Sequence, residues 1–503
     1  MPHLSFLWNR TPEEIAQIPE TIPLQTLEDL ILSKDFKRDT LEILRKPCLG
    51  DEIAVRQPIV MRAAKDPEFR KLLENISGEI RELNRLWGVF DRSEIEEERI
   101  LLFPPVMKRY FALTGTMEKL EIYDGRIGEI GASFREIRKS EIFLTAEKQC
   151  ADLLASKRSG MLLTVSGSNV RAHECGDMLK EKLETIFRKM DLEDAIPSEK
   201  HPVRATPSIV QGYAEVYRGF LESSRSFMNA YRTRFPEGDW DLRDVFRYGE
   251  EIAFLLETGA YFKNLADMGY PLTCPAVSSQ REMILTGLID ASLAKRGIPG
   301  GEVVPNDVHM EDKGGERLNF YILSGANGGG KTTYLRACTI AALFFVTGCP
   351  VTAKSGRMMP FDGIFTHFPA NESFESDGRF ANETARADEI TENATANSFA
   401  VFNETFSGTD EKKSEEYSAR LAGTMAERGT FGIYVTHIHT LTGGKIPTLA
   451  AVIDENDENR RTYKIRRVGG TTSSFAADIL EKYGLDAETL AGKLRLEGGV
   501  NHV

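Results

Sequence analysis

The 503-residue chain contains no apolar run near the roughly 18 residues that a membrane-spanning helix requires. Met1 to Arg10 lacks a basic start leading into a long apolar stretch, so no secretory signal is read and the expected location is the cytoplasm. The six cysteines, at positions 48, 150, 175, 274, 338 and 349, are widely spaced and form no C-x-x-C pair. A disulfide scaffold and a zinc knuckle are thereby disfavoured, leaving ordinary buried thiols. No repeat with a period of about 20 to 50 residues is evident, which argues against a solenoid. Positive charge is in deficit: 63 Lys and Arg stand against 76 Asp and Glu, a net charge of −13. That balance disfavours non-specific attraction to nucleic-acid phosphates over the whole surface, although a local basic groove still permits duplex binding. What remains is ordinary globular material, 41% hydrophobic and 28% charged. It is long enough for about three domains of roughly 150 residues.

From about Pro12 to Pro271 the sequence reads as long, charged, amphipathic helices. In Arg62 to Leu86, Leu72, Leu73, Ile76, Ile80 and Leu83 recur at helical spacing. Met107 to Ala155 and Met178 to Met190 keep that character, and Met161 to Val165 reads as a short strand. Pro197, Pro202 and Pro207 mark a loop over Asp194 to Pro207, and Arg234 to Asp241 is another. After about Ile298 short β-rich runs alternate with helical ones: Asn319 to Leu323 then Thr332 to Val346, Phe399 to Phe402 then Lys413 to Ala426, Gly432 to Thr436, and finally Leu449 to Ile453 and Thr462 to Ile465. Such alternation predicts an α/β layer. The expected division is a helical region over 1–105, a second helical region over 106–272 and a nucleotide-type α/β domain over 273–503.

Gly325-Ala326-Asn327-Gly328-Gly329-Gly330-Lys331-Thr332 satisfies G-x-x-x-x-G-K-[ST], follows an apolar strand and opens an apolar helix, with Thr333 next in line. Glycines let backbone N–H groups converge on phosphate oxygens, and the helix N-terminus adds partial positive charge. Lys331 is then expected on the β- and γ-phosphates of ATP, and the Thr332 hydroxyl on Mg²⁺. Phosphoryl transfer also needs an acidic residue at a neighbouring strand end and a group to orient the attacking water. Phe399 to Glu404 (FAVFNE) is the best such strand end. Glu404 is the expected general base, but Asn403 stands where a metal-associated Asp is expected. An amide oxygen still accepts a hydrogen bond from a metal-bound water without supplying a carboxylate's charge. The strand Gly432 to Thr436 ends in His437, placed to meet a γ-phosphate.

The run Leu323 to Arg336 (LSGANGGGKTTYLR) closely resembles the Walker A region of the MutS family of DNA mismatch-repair ATPases. Further segments follow in the family's order: Val346 to Ala353 (VTGCPVTA), Phe361 to His367 (FDGIFTH), the loop Glu375 to Arg379 with Glu383, the Walker B region Asn393 to Asp410, and Tyr434 to Leu441 (YVTHIHTL). Leu24 to Leu73 is similar to the start of the core and lever region of shorter MutS-related proteins, and Cys274 to Val277 to the entry of the ATPase domain. The resemblance implies a C-terminal α/β P-loop ATPase domain of ABC type behind a mainly α-helical core and lever region. It further implies a Mg²⁺-dependent ATPase, a homodimer with Ser376 and Gly378 reaching the partner's nucleotide, and action on DNA in repair or recombination, on the nucleoid when bound. No counterpart of the family's mismatch-reading domain with its Phe-x-Glu wedge is read, so mismatch recognition is not carried over. Arg225, Arg232 and Arg234 read as a solvated helical face in preference to phosphate contacts. Asn403 keeps a second function open, a nucleotide-gated binding protein with little turnover.

Overall fold

A computed structural model of the chain describes residues 4–156, 161–166, 169–174, 218–235, 240, 242–312, 319–325, 327–368, 376–406, 410–442, 444–453 and 461–468. The chain divides into two units, Met1–Phe6 with Glu68–Ala253 and Leu7–Pro67 with Phe254–Val503. Among the described residues no helix is long and apolar enough to cross a membrane.

The first unit is mainly helical, as the periodicity predicts. In the helix Pro67–Arg92 the apolar positions Leu73, Ile76, Ile80 and Leu83 are buried and Leu72 is half-buried. The helix expected from Arg62 breaks at Asp66, which is extended at φ −103° and ψ 104°. Pro67 follows it, and a residue ahead of proline is driven out of the helical region by its ring. The helical character read from Met107 to Ala155 resolves into three α-helices, Glu96–Glu118, Arg126–Lys139 and Glu141–Ser156. They are separated at Gly125, with φ +66°, and at the extended Ser140. Met161–Ser166 is a strand, paired antiparallel with Asn169–Glu174, which the sequence reading did not include. The core is aromatic: Trp240 lies 5.5 Å from Phe143, and Tyr110 lies 5.2 Å from Phe235, between ring centroids. Arg225 pairs with Glu96, and Arg234 lies over the Trp240 ring. The helix read at 178–190, the loop at 194–207 and most of the loop at 234–241 fall outside the described residues.

In the second unit the alternation read after Ile298 becomes a six-stranded sheet. Its elements, in chain order, are β1 (Phe320–Ser324), α1 (Lys331–Val346), β2 (Ile364–His367), α2 (Ser376–Asn393), β3 (Phe399–Asn403), α3 (Glu411–Arg428), β4 (Phe431–Val435), β5 (Thr448–Ile453) and β6 (Arg461–Val468). The strand order is β6-β5-β1-β4-β3-β2. Neighbours pair in parallel except β6, which runs antiparallel to β5. Every residue of β1, β3 and β4 is buried. A parallel sheet covered on both faces requires this, and it explains why these strands are continuous apolar runs and not alternating ones. Each fully buried Val, Leu, Ile or Phe is worth about 1.5–3 kcal/mol, so these strands form the unit's stable centre. Helix α1 packs on β2, β3 and β4, and it is apolar on nearly all sides because it is almost wholly buried. The result is a mixed α/β unit.

A second, four-stranded sheet joins Ala276–Val277, Glu282–Leu288, Asn306–Glu311 and Ser355–Met358. The sequence reading did not anticipate it. Cys48, Cys150, Cys338 and Cys349 are buried free thiols, and Cys274 is half-buried; Cys175 lies outside the described residues. Burial raises these thiols, Cys48 to about 11 and Cys349 to about 12, so they stay protonated near neutral pH.

Candidate functional site

The register of three adjacent strands assembles the site. Val435 of β4 pairs with Leu323 of β1 on one side and with Asn403 of β3 on the other. The segments that follow β1, β4 and β3 therefore emerge side by side, at the C-terminal edge where open parallel sheets bind ligands. Those segments carry the glycine-rich loop, His437, and the pair Asn403 and Glu404.

The loop leaves β1 through Gly325, at φ +121°, and enters α1 through Gly330, at φ +88°. A side chain at Gly325 would sit 3.1 Å from the Ala451 Cβ and backbone N. Glycine is thus required there by conformation and by space. Asn327, Gly328, Gly329, Gly330, Lys331, Thr332 and Thr333 line a cavity of about 510 Å³, within the size range of small-molecule and cofactor sites. Ala326 lies outside the described residues.

Lys331 is only 5% exposed, and its Nζ donates to the Gly325 carbonyl oxygen at 2.7 Å. Burial lowers its pKa from the ordinary lysine value; the negative charge of Glu404 opposes that shift and Arg461 adds to it. The Thr332 hydroxyl donates to Asn403 Oδ1 at 3.3 Å. Two neutral oxygen donors side by side suit a hard divalent cation such as Mg²⁺, which takes oxygen ligands and keeps water and substrate phosphates as the rest of its shell.

Glu404 and His437 form the second half of the site, with His437 Nε2 2.9 Å from Glu404 Oε1. Their side chains are 37% and 45% exposed, so both remain open to solvent and ligand. Glu404 has φ +51°, and Phe406, two residues on, has φ +67°. Left-handed backbone at non-glycine residues costs about 1–3 kcal/mol each and persists where the surroundings impose it. Ser376 and Gly378 open α2; their side chains lie outside the described residues. The structure thus brings together the loop, Thr332, Asn403, Glu404 and His437, and gives no geometry that joins Ser376 and Gly378 to them.

Sequence reasoning missed one wall of the cavity, made of Leu293, Ile298, Val304 and Tyr463. Tyr463 is 49% exposed and left-handed at φ +56°. Asn306 Nδ2 donates to its carbonyl oxygen at 3.0 Å, and the Ile465 N–H donates to Asn306 Oδ1 at 2.8 Å. Asn306 thereby ties β6 to the second sheet. An exposed aromatic within the basic strand RTYKIRR was the one available signal.

The family model for MutS domain V matches residues 321–490, a segment that begins in β1 and takes in the glycine-rich loop, Asn403, Glu404 and His437. Curated relatives agree. The DNA mismatch repair protein MutS of Lactobacillus delbrueckii subsp. bulgaricus is 26% identical over 265 residues, covering 50% of this chain and 28% of that protein. Residues 321–490 thus belong to the MutS family's domain V. The MutS of Thermus aquaticus is 26% identical over 194 residues, 38% of this chain and 23% of that protein. The mitochondrial DNA mismatch repair protein MSH1 of Arabidopsis thaliana is 29% identical over 143 residues, 28% of this chain and 12% of that protein. The matches thus span less than a third of these MutS relatives.

Proposed function

We propose that this MutS-family chain is a Mg²⁺-dependent ATPase that acts on DNA, its nucleotide cycle opening and closing a homodimer. One observation carries the reading: the glycine-rich loop, the Thr332–Asn403 contact and the Glu404–His437 pair are gathered at the ends of three neighbouring strands, and the loop, Thr332 and Glu404 line one cavity. On a triphosphate the loop N–H groups cradle phosphate oxygens, and Lys331 exchanges the Gly325 carbonyl for the β- and γ-phosphates. Thr332 and Asn403 hold Mg²⁺, which when bound neutralises charge on the phosphates. Glu404 orients the attacking water and accepts its proton, while His437 fixes the Glu404 carboxylate and faces the γ-phosphate. Ser376 and Gly378 of a second copy complete the site, so the γ-phosphate favours the closed dimer by its differential affinity. The family relationship supports the DNA half of the reading.

Titration with a fluorescent ATP analogue tests the site. Lys331→Ala should weaken binding by roughly a hundredfold, about 2.7 kcal/mol; affinity equal to the parent's would refute the assignment. Binding to plain, branched and mismatched duplexes at stated salt, with and without ATP, tests the DNA half. Asn403 favours a second reading, a nucleotide-gated binding protein with slow turnover. Steady-state phosphate release separates the two.

A further inference from the structure

The Glu404 turn is held from three directions. From β4, the Val435 carbonyl accepts from the Glu404 N–H at 2.9 Å, and the Tyr434 hydroxyl donates to the Thr405 carbonyl at 3.1 Å. From β2, His367 Nδ1 lies 3.2 Å from the Thr405 hydroxyl. From α2, the Glu383 carboxylate accepts from the Phe406 N–H at 3.1 Å. The Phe406 ring is 2% exposed and lies 6.0 Å from Phe380 of the same helix, between centroids. Glu383 is itself 5% exposed. A buried carboxylate accepting an amide hydrogen bond is a strong local tie, and its loss leaves a buried donor unpaired.

We infer that Glu383 is a positioning residue: its carboxylate fixes the Phe406 amide, keeps Glu404 in its left-handed conformation facing His437, and so makes hydrolysis depend on where α2 sits. The same helix opens with Ser376 and Gly378, about 10 Å and about 7.5 Å up the axis from Glu383 at roughly 1.5 Å per residue. Movement of the α2 N-terminal end thus reaches the water-orienting carboxylate through the Glu383–Phe406 hydrogen bond and the Phe380–Phe406 ring contact, beside the His367 bridge from the Glu383 carbonyl to Thr405. Glu383 touches neither nucleotide nor water in this scheme. The inference rests on the ATPase reading for its catalytic consequence and stands on geometry for its structural one.

The experiment uses the full chain with Glu383→Asp, Glu383→Gln and Glu383→Ala. Aspartate keeps the charge but withdraws the acceptor by about one bond length, ~1.5 Å; glutamine keeps an acceptor at full reach. A misplacement of about 1 Å at a catalytic group can cost a hundredfold. The expected result is therefore kcat for phosphate release lowered by about tenfold to a hundredfold in Asp and Ala, restored to within about threefold in Gln, with analogue Kd changed by less than about threefold throughout. Hydrogen exchange at the Phe406 amide should quicken by at least about tenfold in Asp and Ala and not in Gln. If Ala does not fold, the Asp and Gln pair decides. A lowered melting temperature with kcat and Phe406 exchange unchanged overturns the inference, as does loss of affinity and rate together without rescue by Gln. Should the parent release no phosphate, the hydrolytic reading fails by itself, and the exchange of Phe406 still decides whether Glu383 locks the turn.

Discussion

Thr332 Oγ1 lies 3.3 Å from Asn403 Oδ1, which couples the start of α1 to the end of β3 through two uncharged oxygens. A carboxylate at position 403 would place a full negative charge beside the same hydroxyl. Asn403→Asp is expected to lower the Mg²⁺ concentration for half-maximal nucleotide binding by about tenfold, through one added charge at a hard-cation site. The measurement is an Mg²⁺ titration at fixed ATP analogue. Phosphate release should rise in the same variant. An unchanged Mg²⁺ midpoint would place the cation elsewhere.

On the proposed ATPase reading, the 2.9 Å contact between Glu404 and His437 should separate binding from chemistry. Glu404→Gln keeps the size and one acceptor but removes the base, so kcat should fall by about a hundredfold or more while analogue affinity stays near the parent's. His437→Gln should cost less, because it disturbs the orientation of Glu404 and leaves the carboxylate in place. Single-turnover hydrolysis with pre-bound ATP reads both. Comparable turnover in Glu404→Gln and the parent would move the base to another residue.

Much of this arrangement is written plainly in the sequence, and the reasons differ by element. Strands β1, β3 and β4 are legible because burial on both faces leaves unbroken apolar runs such as FYIL, FAVF and FGIYV. The loop is legible because its glycines and lysine follow one strand and open one helix. The four-stranded sheet was hidden: Ala276–Val277 is two residues long, Ser355–Met358 is polar, and Asn306–Glu311 follows a proline. Tyr463 was hidden too, since its place at the cavity depends on Asn306, 157 residues away, joining two sheets. The ties among Glu383, His367 and Phe406 likewise depend on packing that no local spacing reports.

Gly325 and Gly330 both have positive φ, yet their surroundings differ. At Gly325 a Cβ would meet Ala451 atoms at 3.1 Å, whereas at Gly330 the nearest atom is Tyr463 Cδ1 at 3.5 Å. Gly330→Ala should cost about 1–2 kcal/mol from backbone strain alone. Gly325→Ala adds a steric term, and a total of about 2–4 kcal/mol is expected. Denaturant midpoints at constant slope provide the comparison. Equal losses would mean that the Ala451 contact yields freely.

His367 is buried at the end of β2, with Nε2 3.0 Å from the Glu383 carbonyl oxygen and Nδ1 3.2 Å from the Thr405 hydroxyl. A carbonyl can only accept, so Nε2 carries the proton; in the neutral ring that burial favours, Nδ1 accepts from the Thr405 hydroxyl. Burial, reinforced by Arg386, holds its pKa at about 4, below the ordinary 6.5. In the unfolded chain the ring takes its proton at the higher value, so protonation favours unfolding as the pH falls. The contribution to stability is complete above about pH 6.5, shrinks through the window below it, and is lost near pH 4, a difference of about 3 kcal/mol at most. Urea unfolding of the parent and of His367→Asn between pH 7.5 and 4.5 isolates this contribution, because every other titrating group is shared. The parent's stability should fall more steeply than the variant's below pH 6.5. Parallel curves would mean that the buried imidazole titrates alike in the folded and unfolded chain, and the neutral-ring bridge from β2 to the Glu404 turn would have to be abandoned.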